Sequence, residues 1–224
     1  MPVGRRNLES TRQSHGPLEE AIMFVQVIEG RVQDAAALRA AIDDWFQQVS
    51  PGATGWLGST GGVTDDGRAI ALVRFESEQA ARANSDRPEQ DEWWAHASKL
   101  FDGEPTFSES SDIDLDIVGD PGRAGFVQVM KGRGSDPKRA RELMAQDSEA
   151  WAAFRPDILG SLGIGHPGGA YTMAIYFTSE AAAREGETKE MPENLKAQME
   201  EMGSLMIGEP EFFDLKDPWM HAPD

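Results

Sequence analysis

Two identical stretches decide the fold of this chain: Phe24-Val25-Gln26-Val27 and Phe126-Val127-Gln128-Val129. The shift of 102 residues that superposes them also keeps later identities in register. These are Leu57-Gly58-Ser59 with Leu159-Gly160-Ser161, Phe75 with Phe177, and Ala80-Ala81-Arg82 with Ala182-Ala183-Arg184. After an offset of three residues, Gly103-Glu104-Pro105 meets Gly208-Glu209-Pro210. Identities spread so widely in one register indicate a duplicated unit.

Each copy has the pattern of a small α+β unit. The repeated Phe-Val-Gln-Val run is short, apolar and β-branched, which is typical of a strand. Asp34 and Asp136 are placed to cap a following helix, and Ser77 and Ser179 to cap a second one. Glycine-rich segments between those helices predict two strands around a turn. With a last strand and an extra helical segment, the order βαββαβ is that of a ferredoxin-like unit.

The repeat also sets the domain boundaries. We expect the last strand to cover Thr106 to about Val118 in the first copy and Glu211 to Leu215 in the second. The resulting divisions are a polar leader (1–22), the first unit (23–118), a linker (119–125), the second unit (126–217) and a tail (218–224). The leader lacks the apolar segment of a secretory signal, so we expect a mobile leader or a docking arm.

The strands predict how the two units pack. Phe24 to Ile28 and Met173 to Phe177 are nearly apolar on both alternating faces, as in a sheet that is buried on both sides. Helices can cover only one face of each sheet. We therefore expect the two units to pack sheet to sheet as a pseudo-dimeric α/β barrel. The fused barrel is either a monomer or forms a homodimer.

Composition excludes several classes of function. The 224 residues carry a net charge of −18 and include no cysteine, so disulfides and thiolate metal sites are ruled out. An acidic chain lacks the basic surface that nucleic acids require, and it is repelled by anionic membranes. No apolar run is long enough to span a bilayer. We expect a cytoplasmic protein whose partner is a small hydrophobic ligand.

Several segments resemble the dimeric α/β-barrel superfamily, and more narrowly its antibiotic-biosynthesis-monooxygenase-like branch. They are Arg74 to Asn84, Arg87-Pro88-Glu89-Gln90, Trp93-Trp94 and Phe101 to Phe107. The resemblance implies a cofactor-independent monooxygenase-like enzyme that acts on a small hydrophobic or aromatic molecule. The alternative it leaves open is a non-catalytic binding or scaffold barrel for a hydrophobic metabolite or haem.

His96 is the candidate catalytic base. It lies on the helix that Pro88 opens, one turn after Trp93, and the resemblance places the pocket between that helix and the sheet. The competing interpretation is a half-buried histidine at a helix edge. Haem is the possible cofactor, but haem-degrading relatives carry an asparagine on the first strand, where this chain has Gln26. The four histidines do not have metal-ligand spacing, so we expect no metal site.

The candidate ligand-binding residues begin with the two tryptophans. Trp93 and Trp94 are adjacent and point about 100° apart on a helix, so both cannot face one pocket; we expect Trp93 in the core. Arg74 and its repeat counterpart Tyr176 are candidate polar donors to a ligand. Leu195, Lys196 and Gln198 stand in the second copy where Trp93, Trp94 and His96 stand in the first. A site built on those residues therefore exists once.

Gln26 and Gln128 are matched by the repeat in the middle of their strands. If their face of the strand points into the barrel, the two amides approach each other near the pseudo-twofold axis. Their hydrogen bonds would then fix the register of the strands, because a buried amide must be satisfied. A substrate-binding role for these glutamines is the alternative.

Overall fold

A computed structural model describes residues 23–223. The first half contains β1 (Phe24–Arg31), α1 (Ala35–Asp44), β2 (Trp56–Val63), β3 (Arg68–Phe75), α2 (Glu78–Ser85), α3 (Pro88–Ala97), β4 (Thr106–Ser110) and β5 (Ile113–Ile117). The second half contains β6 (Phe126–Arg133), α4 (Pro137–Met144), α5 (Ser148–Phe154), β7 (Ile158–Gly165), β8 (Ala170–Phe177), α6 (Glu180–Glu187), α7 (Glu193–Leu205), β9 (Glu211–Leu215) and β10 (Trp219–His221). The leader lies outside the described residues.

Local sequence signals begin the helices as predicted. The Asp34 carboxylate accepts a hydrogen bond from the Ala37 amide, and the Ser77 hydroxyl accepts one from the Ala80 amide. Asp136 and Ser179 cap the equivalent helices of the second unit in the same way. Each cap satisfies an amide that has no partner within its helix, so the duplicated caps fix where the duplicated helices start.

Two five-stranded antiparallel sheets carry the fold, and each takes one strand from the other half of the chain. The strand orders are β10-β2-β3-β1-β4 and β5-β7-β8-β6-β9. The single strand predicted from Thr106 to about Val118 is therefore two strands. The chain leaves the first sheet after Ser110, and β5 pairs with β7 of the second sheet. In return, β10 from the predicted tail pairs with β2 of the first sheet.

The inner faces of the two sheets pack against each other, which confirms the predicted fold class. The fully buried side chains between them come from both sheets: Val25, Val27, Ile70 and Leu72 from the first, and Val127, Val129, Leu162, Ile164, Ala174, Phe213 and Leu215 from the second. Within residues 23–223 the hydrogen-bonded ladders form two open sheets rather than one closed barrel. Over the same residues, no helix has the length and apolar character needed to cross a bilayer.

Candidate functional site

Each unit has a cleft between its helices and the outer face of its sheet. The first cleft is bounded by β1, β2, β3, α1 and α3, and its volume is about 100 Å³. The second cleft is bounded by β5, β7, β8, α4, α5 and α7, and its volume is about 500 Å³. A buried cavity of about 150 Å³ accepts benzene, and sites for larger organic ligands span about 300–1,000 Å³. By volume, the second cleft can hold a polycyclic ligand and the first cannot.

Aromatic side chains fill the first cleft. Its aromatic lining consists of Trp45, Phe75, Trp93, Trp94, Phe101 and Trp219. Both Trp93 and Trp94 line it, so the prediction that only one could do so is wrong. The cleft curves around α3: the Trp93 indole donates to the Ala41 carbonyl of α1 at 2.7 Å, whereas the Trp94 ring lies 6.3 Å from that of Phe101.

Trp219 occupies part of the first cleft. It lies on β10 opposite Gly61 of β2, is 8% exposed, and packs among the apolar side chains at one end of the first cleft. In the second unit Asp114 of β5 lies opposite Gly163 of β7. Gly61 and Gly163 are matched by the repeat, so an indole occupies in one unit the position that a short carboxylate occupies in the other.

Four methionines line the second cleft, at positions where the first cleft has isoleucine, alanine, tryptophan and alanine. Its apolar lining consists of Leu115, Val118, Met144, Trp151, Ile158, Met173, Ile175, Met199 and Met202. Unbranched thioether side chains adapt to irregular ligands and make favourable contacts with aromatic rings. The walls of the second cleft are therefore suited to a flat apolar molecule.

The register of α7 differs from the predicted one by three residues. The Gln198 amide donates to the Leu143 carbonyl, which is the repeat counterpart of the Ala41 carbonyl that Trp93 contacts. Isolated bridges pair Val32 with Phe101 and Gly134 with Met206, which gives the same offset. The counterpart of Trp93 is therefore Gln198 rather than Leu195. The three extra residues enter before the helix and not after it.

Arg155 is one of two arginines that line the second cleft. Its Nε and Nη2 donate to the two Asp157 carboxylate oxygens at 3.0 and 2.8 Å, and Nη2 also donates to the Ala183 carbonyl at 3.3 Å. These bonds leave Nη1. Burial alone would raise the pKa of Asp157, but the hydrogen bonds and charge of Arg155 outweigh it, and the pKa is lowered. The guanidinium is thus a fixed donor, with its side chain 13% exposed.

Gly186 makes room for this arginine. A Cβ atom at position 186 would overlap Arg155 Nε, so any side chain there would displace the guanidinium. The repeat counterpart of Gly186 is Asn84, which is buried in the first unit and donates to Gln90 Oε1 at 3.2 Å. The second unit therefore holds a cation where the first unit holds a neutral amide.

Carboxylates form one wall of the second cleft. Asp114 and Asp116 lie on the face of β5 that lines it. Arg141 pairs with Asp112 and Asp114, and its Nε lies 2.7 Å from an Asp114 oxygen. Asp116 forms no ion pair with any residue in the described part of the chain. Of the two lining carboxylates, Asp116 therefore keeps the less compensated charge.

His96 does not face either cleft. Its side chain is exposed, and Nδ1 lies 2.8 Å from the Glu92 carbonyl oxygen one turn earlier on α3. The prediction of His96 as the pocket base is wrong because α3 turns Trp93, Trp94 and Ala97 toward the sheet and His96 toward solvent.

Arg74 and Tyr176 lie between the two sheets and line neither cleft. The Tyr176 hydroxyl is 3.0 Å from Thr60 Oγ1 of the opposite sheet, and burial raises the pKa of this tyrosine. Arg74 Nε is buried and has no hydrogen-bond partner among residues 23–223. The prediction that these residues are donors to a ligand is wrong, because alternation along β3 and β8 turns them toward the inter-sheet core.

Gln26 and Gln128 point toward the helices and do not meet. Gln26 donates to Glu109 at 2.8 Å and Gln128 donates to Asp214 at 2.8 Å, so each amide binds a carboxylate of the neighbouring edge strand. Arg82 and Arg184 pair with those carboxylates in turn. The predicted approach of the two amides is wrong, and Gln26 instead lines the first cleft.

Sequence reasoning missed Trp219, Arg155 and Gly186. The offset of 105 residues that holds after Gly103 places Asp114 on Trp219, so extending the repeat into the tail would have found the first. No sequence signal distinguishes Arg155 from a surface arginine, because its burial depends on Gly186 of a different helix. Within the described residues, no group of three or more histidines and carboxylates could hold a metal ion.

No protein-family model and no curated protein matches the sequence. Solved structures match nearly all of it. A candidate monooxygenase from Fusobacterium nucleatum superposes with a TM-score of 0.68 at 10% identity, covering 91% of this chain and 95% of that one. A candidate monooxygenase from Lactobacillus acidophilus superposes with a TM-score of 0.65 at 9% identity, covering 89% of this chain and 99% of that one. An anthrone oxidase-like protein superposes with a TM-score of 0.61 at 12% identity, covering 90% of this chain and 94% of that one.

The chain has the dimeric α/β-barrel fold. Two ferredoxin-like units are fused in it in tandem, as the repeat predicted. At identities near 10% the likeness establishes this α/β-barrel fold and leaves the reaction to be argued from the clefts.

Proposed function

We propose that this α/β-barrel protein is a cofactor-independent monooxygenase-like enzyme that oxidises a small aromatic molecule in its second cleft. The observation that carries the proposal is the cleft itself, a largely apolar space of about 500 Å³ whose lining includes the Arg155 guanidinium, held by Asp157. Apolar walls bind the rings, and a few convergent polar groups orient them. The first cleft, filled by its own indoles, then has a structural role.

The reaction needs a substrate that supplies its own electrons. Loss of a proton from a ring CH₂ group beside a carbonyl, or from a phenol, gives an electron-rich anion whose charge collects on oxygen. Arg155 lines the cleft, and we propose that its guanidinium donates to that oxygen, because a preorganised donor stabilises developing charge. Dioxygen then accepts four electrons: one oxygen atom becomes the new C=O group, and the other leaves as water with the two displaced hydrogens.

No bound cofactor is required by this chemistry, because dioxygen is the oxidant and the substrate is the reductant. The residues that line the second cleft include no histidine, lysine or tyrosine, so no lining group has an ordinary pKa between about 6 and 11. The proton passes to water or to Asp116. Since the ionising group belongs to the substrate, the rate should rise with pH without a falling limb near neutrality.

A non-catalytic binding protein is the second candidate. It is favoured by the lack of a lining base with a pKa near the working pH, since efficient general bases are tuned to that range. In this case the same cleft holds a hydrophobic metabolite without converting it. Apolar walls and the Arg155 donor serve either function, so oxygen consumption distinguishes the two.

Oxygen uptake with polycyclic phenols and with anthrone tests the proposal. We expect uptake with at least one compound, and at least a tenfold loss in Met173→Trp, which fills the second cleft. Ala71→Met is the matched control, because Ala71 is the repeat counterpart of Met173 and lines the first cleft. It should leave the rate unchanged, as should His96→Ala. No uptake with any compound favours the binding protein, and full uptake in Met173→Trp rules out the second cleft.

The assembly and location are part of the same proposal. We propose a monomeric pseudo-dimer, because the inner sheet faces that single-unit relatives would bury by dimerising are already buried within one chain. The net charge of −18 favours a dissolved cytoplasmic protein that does not bind nucleic acid. Sedimentation at several protein concentrations should give the 24.5 kDa species, and a mass of twice that value would favour the homodimer.

A further inference from the structure

An imidazole and a carboxylate meet beside the first cleft. His221 lies on β10, and its Nε2 is 3.1 Å from Asp43 Oδ1 of α1. A carboxylate only accepts hydrogen bonds, so Nε2 carries the hydrogen and donates it, and Nδ1 of the neutral ring keeps a lone pair. Asp43 therefore sets both the orientation and the tautomer of His221, as the carboxylate does in a serine–histidine–aspartate triad.

The second nitrogen of this imidazole has no partner. Nδ1 is buried and forms no hydrogen bond with any residue in 23–223. The same holds for the buried indole nitrogen of Trp56, and both rings pack on Phe46, with centroid distances of 4.9 Å for His221 and 6.0 Å for Trp56. Leaving a buried polar atom without a hydrogen bond costs free energy, so such an atom favours a group that supplies the bond.

Ser59 of β2 is the hydroxyl that faces His221 across the strand pair. The register puts the two residues directly opposite each other, where Cβ atoms are about 4.5–5.5 Å apart. Ser59 lines the first cleft and His221 contacts α1, so both side chains lie on the helix-facing side of the sheet. Nδ1 is bonded to Cγ and therefore lies near the strand, where a serine side chain is short enough to meet it.

The hydrogen bond between the hydroxyl and the imidazole is not formed in this structure, because Nδ1 has no partner. Catalytic hydrogen bonds are often long or poorly aligned before substrate binds, and they tighten in the complex. Rotation of Ser59 about its Cα–Cβ bond is enough to turn its hydroxyl toward or away from the facing ring.

The repeat provides a matched position that lacks this chemistry. Ser161 is the counterpart of Ser59, and the residue opposite it on β5 is Asp116 instead of a histidine. The counterpart of Asp43 is Ala145. At these matched positions the second unit keeps the serine but has neither the imidazole nor the carboxylate that orients it.

We propose that Ser59, His221 and Asp43 form a nucleophilic site that hydrolyses esters of short-chain carboxylic acids. Ser59 Oγ is the nucleophile, His221 Nδ1 is the general base, and Asp43 is a positioning residue that acts through the imidazole. This inference goes beyond the proposed function. It adds an activity to the first cleft, whose aromatic lining otherwise serves as structure, and it needs neither dioxygen nor the second cleft.

The reaction has two balanced steps. Ser59 Oγ attacks the ester carbonyl carbon while its proton passes to His221 Nδ1. The bond from that carbon to the alcohol oxygen then breaks, and this oxygen leaves with the electron pair and takes the proton from the imidazolium. Water attacks the acyl-serine in the same way, giving a proton to Nδ1. The carboxylic acid leaves as the bond to Oγ breaks, and Ser59 recovers its proton.

The volume of the first cleft limits the acyl group. The cleft holds about 100 Å³, whereas a cavity that accepts benzene has about 150 Å³. The walls beside Ser59 include Ile42 and Trp219, which are apolar. We therefore expect acyl chains of about two to four carbons to react and longer or aromatic acids to be excluded.

Reaction of the full chain with 4-nitrophenyl acetate tests the inference. We expect a burst of 4-nitrophenolate, and peptide mass spectrometry after an acid quench should find the acetyl group on Ser59. Ser59→Ala should lower turnover by about a hundredfold or more, whereas the matched variant Ser161→Ala should leave it unchanged. An acetyl group found only on other residues, or undiminished turnover in Ser59→Ala, would overturn the inference. The adduct test needs no variant to fold.

Two further variants test the base and its positioning. His221→Gln should remove the burst. Asp43→Asn offers an amide that can donate to Nε2 and so favours the wrong tautomer, and it should lower kcat by about a hundredfold while KM stays the same. Asp43→Glu restores the carboxylate and should recover part of kcat. Wild-type kcat in Asp43→Asn would overturn the assignment of Asp43.

The inference and the proposed function fail separately. Ester hydrolysis should persist without dioxygen and in Met173→Trp, and oxygen uptake should persist in Ser59→Ala. An acetyl adduct on Ser59 without oxygen uptake from any phenol would overturn the oxidation alone. Oxygen uptake by a protein that is not acetylated on Ser59 would overturn the hydrolysis alone.

Discussion

The two clefts occupy the same place in their units, yet one holds about 100 Å³ and the other about 500 Å³. The hydrogen bonds that hold the sheet beside each cleft are nearly the same in the two units. Gln26 with Glu109 and Gln128 with Asp214 repeat the same contact in both units. The differences concentrate at side chains that face the clefts, above all Trp219 against Asp114. Duplication therefore kept what holds a unit together, and the two copies diverged in what each cleft contains.

The largest expected effect is the loss of the indole that closes the first cleft. Trp219→Ala should lower the free energy of unfolding by about 3–5 kcal/mol, because it removes a buried aromatic side chain and leaves a cavity. Urea denaturation measures the change. The matched variant Asp114→Ala removes an exposed side chain at the equivalent position and should change stability by about 0.5 kcal/mol or less. Equal losses of stability in the two variants would contradict the contrast between a buried Trp219 on β10 and an exposed Asp114 on β5.

A side chain at Gly186 should make the second unit resemble the first and displace its cation. Gly186→Asn, which copies Asn84, should lower the free energy of unfolding by about 1–3 kcal/mol through overpacking against Arg155. Gly203→Ala is the control in the same unit, since a Cβ there meets nothing within 4 Å. Thermal unfolding compares the two variants. If Gly186→Asn unfolds at the same temperature as the wild type, the Arg155 guanidinium can adopt another position without loss of stability.

Acid should distinguish the units through Asp157, whose counterpart in the first unit is Gly55. Because the folded-state pKa of Asp157 lies below its ordinary value, its stabilising effect is complete above about pH 4 and is lost as the pH falls through the folded pKa. The stability difference between the wild type and Arg155→Gln with Asp157→Asn should therefore shrink below about pH 4. Denaturant titrations between pH 2 and 6 measure it, and a constant difference would contradict the lowered pKa.

The smallest expected effect concerns His166, whose counterpart is Thr64. Burial, aided by the charge of Lys131, lowers the pKa of His166, and its Nε2 lies 3.0 Å from Thr172 Oγ1. The neutral form is favoured in the folded state, so its contribution is present above about pH 6.5 and declines as the pH falls toward the folded pKa. His166→Thr should lack this decline between pH 7 and 5. If the stability of the wild type and of His166→Thr changes with pH in the same way, the expected contribution of His166 is wrong.

The repeat was enough to predict the architecture, because caps and strand patterns are local signals and the same ones occur twice. The partner of β5 could not be read from alternation at Asp112 to Ile117, since pairing with β7 is decided by tertiary packing. The orientation of His96 depends on how α3 rotates onto its sheet, and two tryptophans decide that rotation. The volume of the first cleft depends on Trp219, more than a hundred residues away from α3 in sequence.

The reciprocal exchange of β5 and β10 has a consequence for the integrity of the molecule. Each sheet is completed by an edge strand from the other half of the chain. A half expressed alone would therefore expose unpaired backbone amides and carbonyls of β2 or β7 at a sheet edge. Cleaving the chain within 119–125 should therefore yield two fragments that associate with each other or self-associate. The intact polypeptide should melt in one cooperative transition.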